Sequence, residues 1–403
     1  MIRTIVAAWL VVLYAGTVCA QSTPTDGGPE PDTRQIGVLY VKPTVALTNA
    51  GVDTNVFNVP DSANPESDFT MTVTPAATVW LPFGLTWIRG SVQEDLVWYK
   101  KFESERSANT GTSLAWTVPM TRFTAAVRGG WLRTNDRPGF EIDQRADRWE
   151  KTVGGSFELR TLSRTFFGVS AERRGFTYDE DESFQGVPLT DLNRRQVTEG
   201  VTMRHDLTPL TSLVFEVGLQ QDRFDTQPLR DTDSVRALGG FKLAPDALIS
   251  GSALVGYRNL DPDSEAVPTY SGAIAHVDVA YVARSTTKLT LKVNRDVEYS
   301  YDVNQPYYLL TDLTGTVTQQ VYGPLDIQGR LIAERLSYRD RQGADIAVSN
   351  RVDNVRSYGG GVGYNTSEDL RVGFNVDYQQ RTSPLPDREY DGWKFGTTVN
   401  YGF

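Results

Sequence analysis

Cysteine and histidine are almost absent from this chain of 403 residues. It has one cysteine, Cys19, and two histidines, His205 and His276. Zinc and iron sites are built mainly from these two residue types, so the sequence predicts no metal centre and no cofactor. A single cysteine also cannot form an intramolecular disulfide.

Long apolar runs are missing after the first twenty residues. Residues 1–20, MIRTIVAAWLVVLYAGTVCA, combine one positive charge with an apolar stretch and a small-residue end. This pattern is typical of a secretory signal peptide, and we expect cleavage after Ala20. A lipoprotein acylated at Cys19 is the alternative, although Val18 fits its processing poorly. An exported chain without disulfides needs another source of stability, for which a closed hydrogen-bonded sheet suffices.

Basic residues are outnumbered by acidic ones, 40 against 50, which gives a net charge of −10. This acidity argues against nucleic acid as a partner. Residues 21–35, QSTPTDGGPEPDTRQ, are rich in proline, glycine and polar side chains, and we expect a flexible periplasmic lead-in. Residues 36–403 then form the main domain.

A hairpin repeat of roughly 40 residues organises the main domain, with two strands, a short turn and a longer polar connection in each unit. Eight short turns and two terminal strands predict about 18 strands, with 16 as the alternative. Short turns on one side and long loops on the other are typical of an outer-membrane barrel. The turns lie at LPFG, VPMT, TLSR, TPLTS, APDA, RSTT, YGPL and NTSED, near residues 82, 119, 162, 209, 245, 286, 323 and 366.

Apolar and polar residues alternate within the predicted strands. In TSLVFEVGLQ, Leu213, Phe215 and Val217 share one face, whereas Glu216 and Gln220 share the other. Several strands keep this alternation for about ten residues, the length of a tilted membrane strand, whereas soluble sandwich strands average about 5–6 residues. The fold class we predict is all-β: a transmembrane antiparallel up-and-down β-barrel.

Charged residues are the candidates for the pore lining of such a barrel, since its polar face must line a wet interior. They could attract anionic solutes by a focused field, or the two signs could simply pair across the wall. The predicted pore-lining residues are Arg89, Arg128, Arg204, Arg236, Lys242, His276, Asp278, Lys288, Lys292, Arg330, Arg371 and Lys394.

Candidates for catalysis are few. His276 and Asp278 lie two residues apart on one strand face, as a base and its orienting carboxylate would, but no nucleophile motif accompanies them. His205 and Asp206 are adjacent, so they face opposite sides of a strand. The acidic loop segments DEDES (179–183) and DPDSE (261–265) could hold calcium weakly, but surface charge explains them as well. The sequence therefore predicts no catalytic site.

The chain ends in WKFGTTVNYGF, which alternates to its last residue. An open strand edge cannot be left in hydrocarbon, so this strand must pair with the first one. Val399, Tyr401 and Phe403 share one face and resemble the C-terminal signal that the barrel assembly machinery reads. We therefore expect that machinery as a partner, and outer-membrane lipid with lipopolysaccharide as the surroundings.

Three segments resemble the β-barrel porin-2 family of Gram-negative outer membranes: YVKPTVALTNAGVDTNVF, TPLTSLVFEVGLQQDRFDT and RDTDSVRALGGFKL. The resemblance implies an outer-membrane barrel associated with exopolysaccharide secretion, with polysaccharide and periplasmic export proteins as partners. It implies no catalytic residues. The alternatives are a diffusion porin for small anionic solutes, an outer-membrane enzyme, and a structural or adhesive barrel.

Overall fold

A computed structural model describes residues 28–30, 33–245, 247–367 and 370–402. Phe403, the signal peptide expected at residues 1–20 and most of the lead-in lie outside these ranges. No helix within them is long and apolar enough to cross a membrane. The long strands are β1 (Leu39–Asp53), β2 (Asp68–Phe83), β3 (Thr86–Tyr99), β4 (Ser107–Pro119), β5 (Phe123–Asp136), β6 (Ala146–Leu162), β7 (Thr165–Tyr178), β8 (Arg194–Thr208), β9 (Thr211–Phe224), β10 (Thr232–Leu243), β11 (Ile249–Pro262), β12 (Tyr270–Ala283), β13 (Thr287–Tyr299), β14 (Tyr307–Tyr322), β15 (Leu325–Arg339), β16 (Val352–Ser367), β17 (Leu370–Thr382) and β18 (Tyr390–Tyr401).

The eighteen strands form one antiparallel sheet that closes on itself. Each strand pairs with its neighbours in the sequence, and β18 pairs with β1 from Val45 opposite Tyr401 to Asp53 opposite Lys394. A bulge between Leu47 and Ala50 interrupts this closing seam. Closure removes both sheet edges, which hydrocarbon would leave without hydrogen-bond partners. The predicted barrel and its count of 18 strands are confirmed.

Short turns join the strands at one end of the barrel, and all eight lie where the sequence predicts them. Gly84 and Gly323 supply the positive φ values of two of these turns, 62° and 50°. The longer connections lie at the other end. Six of them are rich in charged residues, proline or glycine, which the sequence pattern predicts as loops, whereas residues 100–106, 225–231 and 300–306 carry no such clear signal.

The lead-in differs from its prediction in the part that the structure describes. Arg34–Ile36 forms a short strand that folds back on the start of β1 through Gly37, whose φ is 62°. Glu30 lies 3.1 Å from the ammonium of Lys42 on β1. An ion pair and backbone pairing therefore hold a segment that the proline and glycine content suggested would be flexible.

Side chains alternate between the two faces of the sheet. On β9, Phe215, Val217 and Leu219 are each about half exposed on the outer face, at 49%, 51% and 51%. Val214 and Gln220 point the other way and are buried. A membrane-spanning strand requires this arrangement, because lipid covers its apolar face.

Candidate functional site

Ion pairs cover the inner face of the barrel. Most of the predicted pore-lining cations lie beside a carboxylate, which favours the second of the two interpretations, pairing across the wall. Their role in lining a pore stays a prediction. The pairs are Arg89 with Glu30 (3.7 Å), Arg128 with Glu172 (2.5 Å), Arg204 with Glu158 (2.7 Å), Lys242 with Glu216 (3.3 Å), Lys292 with Asp278 (3.3 Å), Arg330 with Asp377 (2.6 Å), Arg371 with Asp326 (2.6 Å) and Lys394 with Asp53 (3.3 Å).

Glycine makes several of these pairs possible, because their partners lie on strands that are not adjacent. Gly154 lies opposite both Arg128 and Glu172 in the strand register. With no side chain on β6 between them, the guanidinium of β5 reaches the carboxylate of β7. Single glycines at alternating positions of a strand are therefore a sequence signal for ion pairs across that strand. The pattern of charges alone does not contain this signal.

Two further predicted pore residues, Arg236 and Lys288, lie elsewhere on the inner face. Arg236 has no carboxylate oxygen within 4.0 Å among the described residues. Its guanidinium lies over Gly218 on β9, where an added Cβ would stand 3.1 Å from Nε. Lys288 lies on the same face of β13 as Lys292, nearer to the short turns.

The structure joins His276 and Asp278 to different partners. His276 Nδ1 lies 2.9 Å from the Asn294 side-chain oxygen, and Nε2 lies 3.5 Å from Asp296. Asp278 lies 3.3 Å from Lys292. Nothing in this arrangement aligns a carboxylate, a base and a nucleophile. Within the described residues, no group of three or more histidine, cysteine, aspartate or glutamate side chains is suited to hold a metal ion.

The hairpin of β13 and β14 separates from β12 at the long-loop end and packs inward, while β14 stays paired with β15 as far as Tyr307 and Arg339. Pairing between β12 and β13 stops at Ala275 and Arg295, whereas β13 and β14 stay paired as far as Tyr299 and Tyr307. The hairpin therefore packs against the inner face of β9–β12. One buried apolar cluster unites Val297, Tyr307 and Leu309 of the hairpin with Val214, Leu238, Leu254 and Ile274 of that face.

Side chains from three other loops hold the tip of this hairpin, residues 300–306. Arg230 donates hydrogen bonds to the carbonyl oxygens of Ser300 and Tyr301, the second at 2.7 Å. The Tyr301 hydroxyl donates to Gln185 Oε1 at 2.5 Å. Glu141 accepts from Ser300 Oγ at 2.6 Å and from the Tyr301 amide at 3.1 Å. Burial, reinforced by the Glu141 charge, raises the pKa of Tyr301 to about 12, so its hydroxyl stays a neutral donor.

The connection of residues 137–145, between β5 and β6, extends to strands of the opposite wall. Arg381 on β17 donates to the Phe140 carbonyl at 2.7 Å and to Asp143 at 2.8 Å. Arg388, between β17 and β18, donates to the Glu141 carbonyl and lies 3.1 Å from Asp143. These charges are buried but paired, as burial requires. The connection and the hairpin tip meet at the long-loop end of the barrel through Glu141, Ser300 and Tyr301; we call residues 137–145 and 300–306 the plug.

A sequence signal for the plug exists next to the hairpin tip, at the start of β14. The segment YYLL, Tyr307–Leu310, breaks the alternation of the other strands, and all four of its side chains are buried. A strand covered by protein on both faces reads as a continuous apolar run. Tyr308 and Leu310 face Phe140 of the connection, while Tyr307 and Leu309 face β9–β12.

Aromatic rings and cations meet at the other end of the lumen, near the short turns. Tyr40 and Trp87 make an edge contact with their centroids 5.5 Å apart. Lys42 and Arg89 lie on the same inner face and share the Glu30 carboxylate, at 3.1 Å and 3.7 Å. We call Tyr40, Lys42, Trp87 and Arg89 the vestibule.

A closed antiparallel sheet with an apolar exterior and a charged interior defines a transmembrane β-barrel of the outer-membrane class. The chain belongs to the family described as "Putative beta-barrel porin 2", whose model matches residues 30–403. Membership of this family of barrel porins implies the outer membrane, with the short turns periplasmic and the long loops extracellular.

No curated protein matches the sequence. Among solved structures, the chain resembles Pseudomonas aeruginosa OccK2 (OpdF), determined in complex with glucuronate, at 10% identity and a TM-score of 0.47, covering 90% of this chain and 97% of that one. It resembles the FrpB iron transporter of Neisseria meningitidis (F3-3 variant) at 9% and 0.44, covering 90% and 67%. For the copper transporter OprC the values are 9% and 0.42, covering 89% and 64%, so the chain spans less than two thirds of that protein. At such identities the likeness says nothing about cargo.

Proposed function

We propose that the protein is a non-enzymatic, gated outer-membrane conduit for an envelope polysaccharide. The plug carries this proposal, because it places residues of the chain itself inside the extracellular end of the barrel, where side chains of several loops and strands hold them. Its central contacts are hydrogen bonds and ion pairs, such as those of Arg230 and Arg381. Polar contacts of this kind can be exchanged for water when the tip moves.

The plug argues against a general diffusion porin. A porin for small solutes needs a lumen that is open at rest. The inner charges also compensate each other in pairs, which weakens any focused field that would attract anions. A polymer conduit, in contrast, needs to open only while its cargo passes, so a closed resting state suits it.

The vestibule suits a sugar polymer that carries acidic groups. The apolar faces of sugar rings can cover Tyr40 and Trp87, which are half-buried at the periplasmic entrance. Carboxylates of the polymer can replace Glu30 beside Lys42 and Arg89, in charge-assisted hydrogen bonds. The resemblance to exopolysaccharide-associated barrels supports the same cargo, delivered by periplasmic export proteins.

A deletion strain tests the cargo. We expect it to lose one surface polysaccharide, which the wild-type gene restores and the double variant Tyr40→Ala/Trp87→Ala restores poorly. Phe69→Ala/Trp98→Ala is the matched control, because it removes an aromatic pair of similar geometry from the outer face, with centroids 6.2 Å apart. Normal export of every surface polymer by the deletion strain would refute the polysaccharide assignment.

Planar-bilayer recording separates the gated conduit from the diffusion porin. We expect the wild-type protein to be closed most of the time, with rare openings. A steady open conductance in the wild type, together with normal polymer export in the deletion strain, would favour the alternative of a porin for small anionic solutes.

A further inference from the structure

We propose that four cations on the outer surface of the barrel bind the phosphate groups of a lipopolysaccharide-type glycolipid. The residues are Arg133 on β5, Lys151 on β6, Arg173 on β7 and Arg195 on β8, and we call them the outer basic patch. The site is independent of the cargo proposed above. Four features support it: the strand register, the level in the membrane, the lack of carboxylate partners and an open slot between the side chains.

The strand register brings the four residues together. Lys151 and Arg195 lie on either side of Gly175, which is opposite both of them. Arg173 is two residues from Gly175 on the same face, and Arg133 lies opposite Trp149, two residues from Lys151. Strand spacing of about 4.8 Å and a same-face repeat of about 6.8 Å confine them to a surface patch roughly 14 Å across.

Alternation places the patch on the outer face. Lys151 shares its face of β6 with Val153, which is 57% exposed, and Arg173 shares its face of β7 with Val169. The residues between them point inward, as the ion pair of Arg128 with Glu172 shows. All four patch residues are exposed.

The level of the patch matches the outer leaflet. Arg133 and Arg195 lie within three residues of the extracellular ends of their strands. Trp131 and Trp149 accompany them with ring centroids 5.2 Å apart, and the Arg133 guanidinium lies 4.9 Å from the centre of the Trp149 ring. Tryptophan marks the membrane interface, where a lipid-facing cation destabilises the barrel far less than at the midplane.

The four cations lack a carboxylate partner among the described residues. None has a carboxylate oxygen within 4.0 Å among the described residues, whereas the cations of the inner wall are mostly paired. A Cβ added to Gly175 would meet no atom within 4 Å. An open slot therefore separates Lys151 from Arg195, with Arg173 beside it, and charged groups line it.

Two carboxylates share the outward faces near the patch. Asp147 lies on β6 toward the extracellular loops, and Glu199 lies on β8 toward the midplane, opposite Ala171. Four cations against two carboxylates leave the patch net positive, with the positive charge concentrated around Gly175. An anionic group is therefore expected between the two carboxylates, at the level of the slot.

A phosphorylated glycolipid of the outer leaflet meets these conditions. Its phosphates supply the charge that the patch lacks, and arginine binds phosphate through two parallel hydrogen bonds. Its acyl chains can cover the apolar surface below the patch, where Val153, Val169 and Val201 are exposed. Free phosphate has no such chains, and it would bind without using this apolar surface.

Lipid binding by the purified full-length barrel tests the site. Rough-type lipopolysaccharide is titrated in detergent and bound lipid is counted by native mass spectrometry, with dephosphorylated lipopolysaccharide, phosphatidylglycerol and inorganic phosphate as comparisons. The variant R133A/K151A/R173A/R195A is expected to lose at least about tenfold in affinity, since it removes four cations that attract an anionic headgroup. The control R335A/R356A removes two exposed outward arginines from β15 and β16 and is expected to bind normally.

A second variant keeps every charge. Gly175→Leu fills the slot between Lys151 and Arg195, and we expect it to weaken lipopolysaccharide binding as well, even if the fourfold variant does not fold. Equal binding by wild type and both patch variants would overturn the proposal. So would an equal loss in R335A/R356A, equally tight binding of phosphatidylglycerol or inorganic phosphate, or unchanged binding after dephosphorylation of the glycolipid.

Discussion

Arg330 and Asp377 form a 2.6 Å ion pair although their strands, β15 and β17, do not pair with each other. Gly359 on β16 lies between them, opposite Arg330 in one ladder and opposite Asp377 in the next. The two side chains meet above a backbone position that has no side chain. An ion pair of this kind braces the inner wall across three strands. It forms where the middle strand has a glycine.

Gly359→Ala should break this brace. The new Cβ would stand 2.1 Å from Asp377 Oδ1, so the carboxylate must move away from Arg330. We expect a loss of about 1–3 kcal/mol in the free energy of unfolding, as for an overpacked core, measured by thermal unfolding in detergent. Gly360→Ala is the matched control, because its Cβ would face outward and meet only the Gln328 carbonyl at 3.9 Å. Equal stability of the two variants would contradict the bracing role.

Arg230→Gln should loosen the plug. Arg230 is 1% exposed and donates to the carbonyl oxygens of Ser300 and Tyr301. Charge-assisted hydrogen bonds contribute about 1.5–3 kcal/mol each, so we expect more frequent and longer openings in single-channel recordings. Arg335→Gln, which removes an exposed arginine on the outer face of β15, is the control. A folded Arg230→Gln barrel that stays as closed as the wild type would show that this contact does not hold the tip.

His276→Ala separates a structural role from a catalytic one. The substitution removes a partner of Asn294 and Asp296, so we expect a modest loss of stability, about 1 kcal/mol, and unchanged polymer export. Both are measurable in one strain, by heat-dependent gel migration and by surface polysaccharide content. Loss of export from a barrel of normal stability would revive the enzyme hypothesis.

Deletion of Phe403 tests the predicted assembly signal. Val399 and Tyr401 lie in the closing seam, opposite Leu47 and Val45, whereas Phe403 lies beyond the described residues. We expect the truncated chain to insert poorly, because the assembly machinery would lose the terminal aromatic. Membrane fractionation and heat-dependent migration measure insertion. Phe403→Tyr, which keeps an aromatic ring, should insert normally, and normal insertion of the truncated chain would refute the signal.

The strands could be predicted from the sequence because their signals are local. Alternation with period two and a turn every 40 residues depend only on neighbours in the chain, which is sufficient to place eight turns and eighteen strands. The pairing partners of Arg128 and Arg330 depend on the register of three strands and on Gly154 and Gly359. No pattern within one strand contains that information.

The plug could not be predicted, because its contacts join distant parts of the chain. Tyr301 meets Glu141 and Arg230 only after the barrel has closed and brought their loops to one mouth. The run of buried residues in Tyr307–Leu310 was the one local sign of it. Membrane strands of a barrel are expected to alternate apolar and polar residues. A continuous apolar run such as this one indicates instead a strand that protein covers on both faces.

The hairpin at the extracellular mouth is continuous with the wall, which offers the proposed opening a stepwise route. From Ala275 and Arg295 to the short turn, β12 and β13 are paired by backbone hydrogen bonds. Toward the long loops, the edge of β12 from Tyr270 to Ile274 has no pairing with β13. If the hairpin moves outward, the backbone pairing between β12 and β13 can extend along this edge, one residue at a time. Backbone hydrogen bonds gained there would offset the contacts that the tip gives up, so a wide passage could open without unfolding any part of the barrel.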